Sequence, residues 1–502
     1  MAAVLRSGDH FDVVIVGSGS SGGPLLARLS ENPDRRVLVL EAGPDFPAEA
    51  EMLPGFAFRG APGAPIPDLD WGYWSEPLSN GRRIPLRRGR LVGGSSMING
   101  CIAVRGCPRD FEAWVELGAA GWGWDDVAPY YARVEAVLPR KTYERETWQP
   151  IQRRFEEAVL EAGYRPVSDI DAPESWDRIV GNWPHNIANQ VRQGSLVTYV
   201  RRARSRPNVT IKARALVDAV SLRDGRATGV CFIDEHGRRV TIGADAVFLC
   251  AGAYGSPAIL MRSGIGKAAP LKALGIPVVN ELPVGERLMD HPIGMIRLGA
   301  PPPLADMTGP ITSVLTRGDG WLAWPTSHDE SRGVSSISIS LAWNNPQGSL
   351  TLKSADPRVA PVIAHGFEQA IDSGLFTEPW AAMMEAAHGP VFRRSGIAVL
   401  DQGMGLREIL LGNLRSHHHP AGGCCIGSVV GPDLAVRGID GLYVADASVF
   451  PINTSNNPNW TCFMVGERAA DLFDLPAYGE STPLPASEAE ILSASASVSA
   501  RT

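Results

Sequence analysis

The chain has 502 residues, 44% of them hydrophobic, enough for a large buried core and too apolar for a disordered polymer. Lys and Arg number 47 against 54 Asp and Glu, a net charge of −7, so no broad basic field exists to hold a nucleic-acid backbone. No apolar run approaches the roughly 18 residues of a membrane span, and the seven cysteines, odd in number and without a C-x-x-C pair, point to neither a disulfide framework nor a zinc site.

About ten residues precede the first strand-like run and lack the apolar stretch of a signal peptide, which makes the cytoplasm the expected location. That run, Asp12 to Val16 (DVVIV), reads as a strand buried on both faces. Gly17-Ser18-Gly19-Ser20-Ser21-Gly22 follows, and Pro24 to Leu29 opens a helix. Glycines so placed permit a tight turn, close approach of backbone to a pyrophosphate, and packing of helix on strand. A second apolar run, Val37 to Leu40, ends at Glu41, followed by Ala42. The acid stands about 20 residues beyond the glycines, where a carboxylate meets a ribose hydroxyl. The segment predicts dinucleotide binding, with NAD and FAD both open.

Residues 87–100 read RRGRLVGGSSMING, and residues 246–252, AVFLCAG, bring another buried strand to small residues. Residues 252–266 read GAYGSPAILMRSGIG, residues 283–292 PVGERLMDHP, and residues 354–357 SADP. In this order, and continued by the stretch from His419 to Asp471, these blocks resemble the glucose–methanol–choline family of flavin oxidoreductases almost from end to end. The resemblance implies an α/β fold: a discontinuous Rossmann-like FAD-binding domain from about residues 1–150, 195–300 and 413–478, and an α+β substrate-binding domain from 151–194 and 301–412. An antiparallel sheet of the second domain would roof the flavin. Ser335 to Trp343 (SSISISLAW) alternates as a strand with one buried face, and Gly348 to Leu352 reads as its neighbour. Residues 479–502, rich in Ser and Ala, are expected to be a mobile tail.

The same resemblance places FAD along Gly17 to Gly22, Glu41 and Ala42, then Arg90, Val92, Gly93, Gly94 and Ser95 near its pyrophosphate and isoalloxazine. Ile98, Asn99, Gly100, Cys101 and Ile102 continue the track, as do Val217, through its backbone at adenine, and Cys250, Ala251 and Gly252. Asp446 and Ala447 are expected at the ribityl or pyrophosphate region, and Asn459, Trp460 and Thr461 complete the set. In some members a histidine near the equivalent of Asn99 bonds the flavin; here Ser96, Met97 and Ile98 stand in those places, so FAD is expected to bind non-covalently.

Ser416 to Gly427 reads SHHHPAGGCCIG. Adjacent histidine side chains are not expected to converge on one point, and no acid or thiol completes a ligand set, so no metal is expected. The resemblance makes His419 the base: oxidising an alcohol requires the hydroxyl proton to leave, and imidazole suits that at neutral pH. Asn459 is expected to orient the substrate oxygen, with Asn457 the alternative, and His418 and Trp460 are candidate substrate contacts. Gly423 and Ile426 depart from the Thr and Met common there. The expected reaction is hydride transfer from a carbinol carbon to flavin N5. The acceptor is O2 in an oxidase, the reading leaned towards, or a quinone or other carrier in a dehydrogenase; a cyanohydrin lyase is the alternative from another class. Aromatic alcohols, pyridoxine-like heterocycles and sugars or glycosides all fit as substrates.

Overall fold

A computed structural model describes residues 5–47, 69–172, 176–306, 310, 312–329, 332–343, 347–401 and 403–474; the expected tail at 479–502 lies outside them. Two sheets organise these residues. The first has seven strands, ordered Leu216–Arg223, Arg226–Ile233, Arg239–Leu249, His10–Val16, Val37–Leu40 and Val209–Lys212, with Leu442–Val444 also paired to Arg239–Leu249. His10–Val16 lies between two parallel neighbours, and Val13 to Val16 are buried on both faces, as a continuous apolar run in a covered parallel sheet must be.

Helix Gly22–Leu29 follows the first strand, and Gly252–Arg262 follows Arg239–Leu249. The C-terminal helix Asn459–Asp474 packs on Gly22–Leu29. Gly466 makes that approach possible, since a Cβ there would lie 2.2 Å from the Ser21 carbonyl oxygen.

The second sheet has eight strands, ordered Ala398–Val399, Pro292–Gly299, Val334–Leu341, Trp321–Asp329, Val314–Gly318, Ile179–Asn182 and Arg165–Val167, with Arg415–Ser416 also on Pro292–Gly299. All its pairings are antiparallel except that of Arg165–Val167 with Ile179–Asn182. Helices Pro150–Glu161 and Thr377–Ala387 pack against it.

Three sequence expectations need correction. Pro292–Gly299 and Arg415–Ser416, assigned to the FAD-binding part, are strands of the second sheet, because their backbone groups find partners there. Gly348–Thr351 does not flank Val334–Leu341; it pairs with Glu286–Leu288 and Val362–Ala364 in a separate three-stranded sheet. Finally, Val334–Leu341 is buried on both faces. Ile337, Ile339 and Leu341 enter the main core, while Ser336 meets His328, Ser340 meets His417, and Ser338 lines a cavity. Serine alternation here marks a polar internal surface and not solvent.

Candidate active site

The first strand delivers the chain to Gly17, whose φ of 95° lies in the left-handed region that glycine occupies without strain. A Cβ at Gly17 would sit 2.4 Å from the Cys250 carbonyl oxygen, and one at Gly94 would sit 2.9 Å from the Gly19 Cα. Three separate segments thus meet backbone to backbone. Gly22 brings the following helix against Gly17 in the same way, with 2.1 Å from a would-be Cβ to the Gly17 oxygen.

Beside this junction opens a cavity of about 660 Å³. Its nucleotide side includes Gly17, Ser18, Gly19, Ser20, Ser21, Glu41, Ala42, Val217, Cys250, Ala251 and Gly252. Gly94, Ser95, Ile98, Asn99, Gly100, Asp446, Ala447 and Asn459 also line it, and Ile102, Trp183, Ile293, Met295, Trp324 and Ser338 wall the side under the second sheet. His417, His418 and His419 stand where the two sides meet.

Glu41 accepts the Ser18 hydroxyl at 2.9 Å and the Gly43 N–H at 3.0 Å; burial raises its pKa, and these donors oppose the rise. Asp446 accepts from the Gly252 N–H at 2.8 Å and the Ser256 hydroxyl at 2.5 Å, tying the end of Leu442–Val444 to the helix Gly252–Arg262. An extended dinucleotide fits this surface. Backbone crowds it where small residues are needed, an acid stands at the end of the second strand, and the Asn459 amide nitrogen is buried without a hydrogen-bond partner. Bound FAD would be held by these residues.

Several expected contacts lie behind the wall instead. Among the described residues lining the cavity, Gly22, Arg90, Val92, Gly93, Cys101, Trp460 and Thr461 do not occur. Gly22 and Gly93 act indirectly: Gly22 seats the helix, and the Gly93 N–H donates to the Ser18 hydroxyl at 3.1 Å. The Val92 N–H is used on the Pro44 carbonyl, and Arg90 stacks over Trp71. Cys101 is buried beside Ile187, Thr461 shares a 2.7 Å hydrogen bond with Tyr131, and Trp460 is wholly buried in the main core. Trp460 is core packing, not a ring wall for substrate. His418 does line the cavity.

His419 is 8% exposed. Its Nδ1 lies 3.0 Å from Nδ1 of His291, and its Nε2 lies 3.1 Å from the Asn457 amide nitrogen. The amide beside the histidine is therefore Asn457, the alternative in the sequence reading; Asn459 instead accepts the Ser20 hydroxyl at 2.7 Å. Two residues of separation carry the chain into the C-terminal helix and turn Asn459 towards the glycine loop. Beneath His419, buried Asp290 accepts its N–H at 2.9 Å, the His291 N–H at 2.7 Å and the Ser416 hydroxyl at 2.5 Å. Burial pushes Asp290 up to about 6, against those hydrogen bonds. Burial, then the neighbouring His417 and His291, holds His419 well below the ordinary imidazole value, so it is neutral at pH 7. His291 and Asp290 had no assigned role in the sequence, although both lie within the quoted run at 283–292.

The histidine run also behaves differently from expectation. His417 and His419 project together, with ring centroids 3.9 Å apart, and with His291 their ligand atoms fall within 4.8 Å. The 3.0 Å between the two Nδ1 atoms is a proton-sharing distance, shorter than the roughly 3.4 Å kept by two nitrogens on one tetrahedral zinc. His417 stacks on Trp324 and its Nδ1 lies 2.9 Å from the Ser340 hydroxyl. Gly423, at φ 94°, occupies a conformation that Thr adopts only with strain.

The description GMC oxidoreductase fits residues 11–293 for its N-terminal part and 344–466 for its C-terminal part. The chain is 31% identical to the oxygen-dependent choline dehydrogenase of Rhizobium johnstonii, over 92% of this chain and 95% of that protein. It is 30% identical to the protein of the same name from Escherichia coli K12, over the same shares. The crystal structure of pyridoxine 4-oxidase from Mesorbium loti superposes with a TM-score of 0.83 at 25% identity, covering 92% of this chain and 99% of that one. A formate oxidase of Aspergillus oryzae RIB40 shares the fold, with a TM-score of 0.83 at 23% identity over 93% and 98% of the two chains.

Proposed function

The chain belongs to the GMC oxidoreductase family, FAD-dependent enzymes acting on CH–OH groups, and from that premise we propose that it is an oxidase of a small alcohol with His419 as base. The observation that carries the reading is the pairing of His419 Nε2 with the Asn457 amide at the cavity wall. With the Nδ1 proton directed at His291, the lone pair of His419 is at Nε2. An alcohol placed between Nε2 and Asn457 gives its proton to the imidazole while the amide holds its oxygen. One N–H of the Asn457 amide is directed at His419 Nε2, and the second can hold the substrate oxygen.

Bound FAD supplies the two-electron acceptance that removes hydride from the carbinol carbon. The chain's own work is to fix the hydroxyl, receive its proton and keep the site dry. FAD is held without a covalent bond in this reading, supported by Ser96, Met97 and Ile98 where a linking histidine would stand; acid precipitation should release the flavin into the supernatant. Dioxygen as acceptor is supported by the names of the relatives, oxygen-dependent and oxidase.

Anaerobic bleaching of the flavin by a panel of primary and secondary alcohols tests the reaction. His419→Ala should retain FAD and slow reduction by about 10²–10⁴-fold. Near-normal reduction in that variant removes His419 as the base, and product formation with an unchanged flavin spectrum removes hydride transfer. Air reoxidation of the reduced enzyme no faster than that of free flavin assigns the electrons to a quinone or another carrier.

A further inference from the structure

The charge of the substrate half of the cavity is one-sided. Arg415 lies on the two-residue strand immediately before the histidine run and pairs directly with Ile293. Directly paired residues of neighbouring antiparallel strands share a face, and Ile293 lines the cavity, as do Arg415 and Met295. Arg87 also lines the cavity, directly after Pro85–Leu86, which packs against Arg415–Ser416. Among the described residues neither guanidinium has an ion pair or a side-chain hydrogen bond. Both act on His418, which burial and then Arg88, Arg87 and Arg415 push down to about 3. Arg415 also depresses His328, after burial.

The other three arginines of the lining are engaged: Arg88 donates to the Arg87 and His418 carbonyls and its charge favours that of buried Asp290, Arg262 pairs with Asp218 and Arg358 with Asp356. The carboxylates that line the cavity are Glu41, Asp70 and Asp446. Glu41 and Asp446 belong to the cofactor side, and Asp70 accepts the Gly72 and Arg88 backbone N–H groups. None neutralises Arg415 or Arg87.

We propose that the substrate is an alcohol bearing a negatively charged group, carboxylate or phosphate, which rests on Arg415 and Arg87 while its hydroxyl meets His419. This rests on the alcohol-oxidising reading and narrows it. Ile293, Met295, Trp183 and Trp324 supply apolar wall between the two ends, suiting a flat or hydrocarbon frame. Choline, with its fixed positive charge, would meet two uncompensated cations, so this chain differs in substrate from the relatives named for it.

Flavin reduction is compared in the holoenzyme, without oxygen, for 4-(hydroxymethyl)benzoate, 4-(hydroxymethyl)phenyl phosphate, benzyl alcohol and [4-(hydroxymethyl)phenyl]trimethylammonium. The anions should exceed the neutral alcohol in kcat/KM by about tenfold or more, and the cation should be poorest. The advantage should shrink with added salt. Arg415→Gln and, independently, Arg87→Gln should remove it through KM while sparing benzyl alcohol; Arg415→Glu should reverse it. Benzyl alcohol or the cation matching the anions overturns the proposal and leaves the reaction class standing.

If none of the four bleaches the flavin, the failure belongs to the reaction reading for these compounds, and binding decides the charge preference. 4-Methylbenzoate and 4-methylphenyl phosphate should then shift the flavin spectrum at lower concentration than trimethyl(4-methylphenyl)ammonium, with Arg415→Gln abolishing the difference. Equal concentrations, or no shift with any of them, overturn it. The relative strength of the benzoate and the phosphate separates the two anion types.

Discussion

Two asparagines two residues apart face different tasks, and the difference is set by where a helix begins. Asn457 precedes the helix and meets His419; Asn459 is its first residue and meets Ser20. Asn457→Ala should lower the rate of flavin reduction by about tenfold to a hundredfold with FAD retained, since it removes an orienting hydrogen bond. Asn459→Ala should instead weaken FAD retention, measured as flavin lost on gel filtration, with a smaller effect on reduction in the molecules that keep it. The opposite pattern would restore Asn459 as the substrate-facing amide. The resemblance located the segment and favoured Asn459 over Asn457, a choice between near neighbours that depends on where the helix starts. His419 was singled out by the resemblance, which places a histidine before proline here, and it lines the cavity. His291 was not, because its meaning comes from a contact 128 residues away in sequence.

The loop Asn453–Asn457 holds its shape through partners outside itself. Buried Asp110 accepts the Ser455 N–H at 2.8 Å and hydroxyl at 2.5 Å, and Asn456 donates to the Arg105 carbonyl at 2.6 Å and accepts from buried Arg317. Asn453 donates to the His419 carbonyl at 2.9 Å, so one loop sets both the base and its amide. Asp110→Ala should cost about 1–3 kcal/mol through the orphaned donors, visible as a lower Tm. It should also slow flavin reduction with little change in KM, although Asp110 touches no substrate; unchanged reduction would show that the loop keeps its shape without that anchor. At this scale the sequence was informative about strands whose period reports burial and misleading where both faces are internal. The Val334–Leu341 alternation reads as one buried face, yet both faces are internal and the serines line or brace a cavity. No local pattern could place Gly348–Thr351, because strand partners are chosen by tertiary fit.

Over the whole molecule, the resemblance implies interleaved segments, and each of the two sheets draws its strands from separate stretches of chain. The first is assembled from residues 10–40, 209–249 and 442–444. The boundary at Pro292–Gly299 was missed because a motif ending at His291 says nothing of which sheet the next strand joins. A chain ended after Asp440 lacks the strand at 442–444, Asp446, the asparagine loop and the helix seated by Gly466. It should retain no FAD on gel filtration; yellow, monomeric truncated protein would show the nucleotide side to be self-sufficient. The same arrangement bears on how the protein is made. Val37–Leu40 emerges early from the ribosome but pairs with Val209–Lys212, about 170 residues later, and at roughly 5–20 residues per second its edge waits for some 8–35 seconds. Asn457 and the helix Asn459–Asp474 are made later still. The surface that would hold FAD is therefore complete only after the last of these segments, and until Val209–Lys212 is made the edge at Val37–Leu40 stays open.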